Sequence, residues 1–83
     1  MGSEFLLEIM EINEELDMAS TKEEIDELLD NSNERLRDSY AKLSATFEAK
    51  NYADARKIVA KMNYFHNIKE KIKEKEIELK IVR

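Results

Sequence analysis

Ile25-Asp26-Glu27-Leu28-Leu29-Asp30-Asn31-Ser32-Asn33-Glu34-Arg35-Leu36-Arg37-Asp38-Ser39-Tyr40-Ala41-Lys42-Leu43-Ser44-Ala45-Thr46-Phe47 carries its apolar residues at 25, 28, 29, 36, 40, 43 and 47. The main gaps are three, four and seven, the spacing of one stripe along an α-helix. Ser32 and Ser39 occupy the same face with small side chains. A stripe sustained this far predicts one long helix, from about Thr21 to Glu48, rather than two short ones. Asp30 to Asn33 are poor helix formers, so a kink or, second to it, a break is expected there. The stripe decides the fold, because a long amphipathic helix needs partners of comparable length.

Ala49-Lys50-Asn51-Tyr52 follows as a turn, with Asn51 as N-cap and Asp54 three residues on. A third helix is expected from there to about Lys80. Ala55, Ile58, Val59, Met62, Phe65, Ile72 and Leu79 are expected to face inward, Ile68 to flank them, and Lys69 to snorkel outward. Before the long helix, Ala19-Ser20-Thr21 breaks the chain. Ser20 or Thr21 can cap, with Glu23 or Glu24 completing a capping box. Short turns force antiparallel neighbours. The expected fold is all-α: an antiparallel three-helix bundle of one shorter and two long helices, with residues 1–83 forming one domain.

The first helix, about Ser3 to Met18, carries more apolar residues than a core stripe needs. At ~100° per residue, Phe5, Ile9, Ile12 and Leu16 fall within roughly 60° of each other. Leu7, Met10, Glu11, Glu14 and Met18 form a second stripe on the far side, with Leu6 at the border. Exposed Leu and Met interleaved with carboxylates suit a partner better than bare solvent, because methionine adapts to many shapes. On the third helix, Tyr64 lies roughly 150° from the inward face and is expected to be exposed, a candidate hot spot.

Composition narrows the classes. The chain has no Pro, one Gly and no Cys, with 42% hydrophobic and 40% charged residues. That fits a helical bundle and removes disulfides, thiolate metal sites and cysteine nucleophiles. No apolar run reaches the length of a membrane span, and no secretory signal is visible. Leu6 stands where N-myristoylation wants Ser or Thr. Residues 1–34 hold 12 Asp/Glu and one Lys, while residues 35–83 hold 7 Asp/Glu and 13 Lys/Arg. Opposite-sign segments should pair when the chain folds back. Gly2-Ser3-Glu4-Phe5 is what two common restriction sites encode, so residues 1–4 are expected to be a cloning scar. The chain is then expected to be a piece of a longer protein.

Chemistry is sparse. His66 is the one histidine, and a packed, hydrogen-bonded role at the inward edge of the third helix is expected. Phe65 and Met62 beside it argue against phosphotransfer, which wants small neighbours. No cluster has metal-ligand spacing, and there is no phosphate loop, nucleophile elbow or aromatic–basic nucleic-acid face. Small three-helix mutases need Arg on their first helix, and this one has neither Arg nor Lys. An enzyme is not expected, nor a cofactor, a bound metal, a nucleic-acid partner or a membrane partner.

Phe5-Leu6-Leu7-Glu8-Ile9-Met10-Glu11-Ile12-Asn13-Glu14-Glu15-Leu16 resembles the Phe-Leu-Met-Glu-x-Leu-Glu-x-x-Glu-Glu-Leu segment of HscB-type J-protein co-chaperones. Lys61-Met62-Asn63-Tyr64-Phe65-His66-Asn67-Ile68 is similar to a second signature of that family. The resemblance covers nearly the whole chain, though the middle of the second helix is generic. It implies a C-terminal domain that binds an IscU-type iron–sulfur cluster scaffold protein. It also implies a separate N-terminal J domain, absent here, that engages a DnaK/HscA-type chaperone. Carried over by position, the implied binding residues are Leu6, Leu7, Met10, Glu11, Glu14 and Tyr64. Met18 is a further candidate, at a position where the bacterial pattern has Glu. The implied compartment is the mitochondrial matrix, or the cytoplasm for a bacterial protein, and the expected state is a monomer. The competing reading is a structural coiled-coil segment that self-associates through the extra stripe of the first helix.

Overall fold

The computed structural model describes residues 2–81. Helix α1 spans Ser3–Met18, α2 Lys22–Glu48 and α3 Tyr52–Glu78. The two long helices have local causes for their limits. Thr21 caps α2, its Oγ1 accepting from the Glu24 N–H at 3.2 Å and donating to the Glu24 carboxylate at 3.0 Å. Asn51 caps α3, its side chain accepting from the Asp54 N–H at 3.3 Å. Thus Thr21 with Glu24, of the two pairs the sequence offers, forms the cap.

Lys50 ends α2 in the left-handed region at φ 59. Its N–H donates to the Phe47 carbonyl, and the Asn51 N–H donates back to Thr46. This is a Schellman closure built on lysine where glycine is the usual choice. Lys80 repeats it after α3, with φ 59 and bonds to Ile77 and Glu76. Asp30 to Asn33 do not interrupt α2. Ser32 is buried there, and its small side chain lets the neighbouring helices approach.

At 1.5 Å per residue, α2 and α3 are each about 40 Å long and α1 about 24 Å. The long helices set the 45 Å dimension of the molecule. The shorter α1 therefore covers only part of the α2–α3 hairpin. Over that part Phe5, Ile9, Ile12 and Leu16 pack against Ile25, Leu28, Leu36, Met62, Phe65, Ile68 and Ile72. Phe5 stands edge-on to Phe65, centroids 6.0 Å apart.

Beyond the start of α1 the seam is only two helices deep. Ala55 is buried and Leu43 and Ile58 are half-buried, whereas Tyr40, Phe47 and Val59 are exposed. Those last three are inward positions by sequence spacing. The difference arises because a two-helix seam buries only its centre line. His66 is likewise exposed, not packed. It lies one step of ~100° beyond Phe65, on a side that no helix covers.

Candidate functional site

The site is built from α1 outward. Its inner face is complete without help from the outer one, since Phe5, Ile9, Ile12 and Leu16 are all buried. The outer face then presents Leu7 at 56% and Met10 at 57% exposure, with Leu6 exposed beside them. Glu11 and Glu14 are exposed on the same side. This is the mixed apolar–acidic face that the helical spacing predicts.

Three polar contacts, one toward α2 and two toward α3, fix how α1 is rotated. On the edge toward α2, Glu8 makes a two-pronged ion pair with Arg35, at 2.6 and 3.1 Å. On the edge toward α3, the Asn13 side-chain oxygen accepts from Lys71 Nζ at 3.2 Å, and Lys75 donates to the Asp17 carbonyl at 3.1 Å. The acidic first segment thus meets the basic second one in one ion pair, Glu8–Arg35, while Lys71 and Lys75 bond to neutral oxygens of α1. These contacts hold Leu7 and Met10 outward, because a helix anchored at both edges cannot roll. Arg35 also sits 5.3 Å from the Phe65 ring centroid, and Lys61 5.3 Å from that of Phe5. Both cations thus cover the mouth of the core.

Tyr64 departs from its expected exposure. It is half-buried, its ring edge-on to Phe5 with centroids 5.5 Å apart. A wheel of α3 alone measures Tyr64 against the α2 seam and misses α1, which arrives on that flank. The packing brings Tyr64 to the α3-facing flank of α1. Leu6 shares the α3-facing edge of α1 with Asn13, seven residues on. Asn13 and Tyr64 line one open groove of about 440 Å³ with Ile9, Asn67, Ile68, Glu70, Lys71 and Glu74. By helical spacing Leu6 borders the edge of α1 that lines this groove with Tyr64. Met18, 80% exposed, lies at the other margin, in a cleft with Glu15, Glu24, Glu27, Leu28 and Asn31. Sequence reading did not single out Asn13 and Asn67, which join the two halves of the surface. Polar residues on a wheel border carry no signal of their own.

Among the described residues no group of three His, Cys, Asp or Glu side chains is placed to hold a metal. Among the described residues no helix is long and apolar enough to cross a membrane. What fold and surface define is a helical-bundle domain whose distinctive feature is a helix face, not an enclosed cleft.

The family described as "HSCB C-terminal oligomerisation domain" matches residues 1–73. The iron-sulfur cluster co-chaperone protein HscB of Homo sapiens is 39% identical over 79 residues, covering 95% of this chain and 34% of the relative. The protein of the same name from Mus musculus is 37% identical over 71 residues, covering 86% of this chain and 30% of the relative. No solved structure gives a significant match. The chain belongs to the HscB C-terminal domain family, and it spans about a third of the length of the curated relatives it matches. The resemblance read from the two sequence signatures is thereby supported.

Proposed function

We propose that this domain captures an IscU-type iron–sulfur cluster scaffold protein on the outer face of α1. Leu6, Leu7, Met10, Glu11, Glu14 and Tyr64 make the contact, with Met18 at the margin. One observation carries the reading: three large apolar side chains, Leu6, Leu7 and Met10, stand exposed on a helix whose core face is already full. The names of the human and mouse relatives, iron-sulfur cluster co-chaperones, supply the biological context.

Apolar contact would supply most of the affinity, since truncating a central anchor costs about 2 kcal/mol or more. Glu11 and Glu14 would orient a basic partner and raise its on-rate, an effect that salt weakens. The domain acts as a binding module with no catalytic step and no cofactor. Handover to a DnaK/HscA-type chaperone falls to a J domain, because a chain without proline contains no His-Pro-Asp motif. The human and mouse relatives support a mitochondrial matrix protein, or a cytoplasmic one if the source is bacterial.

The test is a calorimetric titration of the chain with an IscU-type scaffold protein. Saturable binding is expected, lost in Leu7→Ala/Met10→Ala/Tyr64→Ala. Because Tyr64 also packs on Phe5, the Leu7→Ala/Met10→Ala variant is the cleaner control. Wild-type affinity in that double variant would sink the site assignment.

The family's description favours a second property, association between copies of the domain. The monomer expected from sequence does not include it. Association through α1 would compete with scaffold binding, and Met10→Glu would then abolish both.

A further inference from the structure

The groove between α1 and α3 has two rims with one pattern. Leu6, Met10, Asn13 and Asp17 are spaced by four, three and four residues, so they share one edge of α1. Tyr64, Asn67, Lys71 and Glu74 are spaced by three, four and three, so they share one edge of α3. Asn13 meets Lys71 and Asp17 meets Lys75, so the two edges run in the same direction. Each passes from an apolar or aromatic end, through an amide, to a charged end. Between them lie the buried side chains of Ile9 and Ile68.

The two amides are the unusual part. Asn13 donates one N–H to the Ile9 carbonyl at 3.0 Å and accepts from Lys71 Nζ at 3.2 Å. It is thereby held in place with one donor and one acceptor position to spare. Asn67 is exposed and spends neither group of its amide within the described residues. A side-chain amide offers both a donor and an acceptor, as a peptide group does, whereas a carboxylate only accepts and an ammonium only donates. Two amides over an apolar floor therefore suit a stretch of main chain with a side chain pointing down. A helix keeps its own peptide groups paired, so the stretch that uses these amides is extended.

We propose that an extended segment of the scaffold protein lies in this groove. Its backbone bonds to the Asn13 and Asn67 amides, and one aliphatic side chain rests on Ile9 and Ile68 beside the Tyr64 ring. The proposal rests on the scaffold-binding function given above and adds a second contact zone to it. Leu6 and Met10 make the groove continuous with the outer face of α1, so one partner reaches both. Charge agrees. The groove is lined by the carboxylates of Glu70 and Glu74 against the single ammonium of Lys71, which Asn13 already holds. It therefore favours the same basic partner as Glu11 and Glu14. Asn67 becomes a specificity-determining residue that reads backbone rather than charge.

An NMR titration of the chain with an IscU-type scaffold protein, with affinities from calorimetry, tests this. The side-chain amide signals of Asn13 and Asn67 should move together with the backbone signals of Leu7 and Met10. Asn67→Ala should weaken binding about three- to tenfold, the worth of one hydrogen bond. The loss should be the same at low and high salt, because no charge is removed. Alanine forms helix better than asparagine, so the variant keeps its fold. His66→Ala, roughly 100° around α3 from Asn67 on the side that no helix covers, should bind as the wild type does. No saturable binding by the wild type would overturn the scaffold reading and this groove together. Binding that moves Leu7 and Met10 but leaves both side-chain amides still, with wild-type affinity in Asn67→Ala, would overturn the groove alone. So would an equal loss in His66→Ala.

Discussion

The two halves of the α2–α3 hairpin are built from the same kind of apolar stripe, yet they end in different states. In the half that α1 covers, Ile25, Phe65, Ile68 and Ile72 lose almost all contact with water. In the uncovered half, residues at equivalent stripe positions, Tyr40, Phe47 and Val59, keep much of theirs. The difference is one layer of helix. Burial contributes about 25 cal/mol per Å² of apolar surface, so the third helix decides which part of an otherwise uniform stripe stabilises the fold. The other part keeps its apolar side chains exposed.

This contrast can be broken from either end. Phe65→Ala should have the largest effect, about 3–5 kcal/mol of lost stability in urea denaturation. A domain of this size has only about 4–12 kcal/mol in all, so partial unfolding at 37 °C is expected. Phe47→Ala, the same chemical change in the uncovered half, should cost less than about 1 kcal/mol. Equal losses would refute the layered account.

Lys50→Gly should stabilise the chain by about 1 kcal/mol, since glycine holds the left-handed conformation without the Cβ penalty. Thermal unfolding should shift upward by about 4–8 °C. Glu8→Ala should cost about 0.5–1 kcal/mol, because the Arg35 pair is partly exposed. High salt should shrink that loss. The smallest expected effect is that of Leu7→Ala on stability, within about 0.5 kcal/mol, although scaffold binding should weaken markedly. A large loss of stability at Leu7 would mean that the outer face of α1 belongs to the core.

Helix limits and caps were legible because they depend on neighbours in sequence. Thr21 and Asn51 accept from N–H groups three residues on, and no distant contact is needed to find them. The outer stripe of α1 was legible for the same reason. Four buried residues at helical spacing complete one face and leave Leu7 and Met10 on the other. Tyr64 and His66 were misjudged because a wheel of one helix cannot know on which flank a third arrives. Tyr64 turned out covered by Phe5, while His66 was left open on the side that no helix occupies.

The sequence by itself thus determined three amphipathic helices, their short antiparallel turns, the surplus apolar face of α1 and the family to which the chain belongs. All of these are properties of local spacing and residue chemistry. Only the tertiary structure decided how far along the hairpin α1 reaches. With that came the packing of Tyr64 against Phe5, the Glu8–Arg35 anchor, and the division of one apolar stripe into core and open edge. These depend on distances between segments far apart in the chain, which no periodicity records.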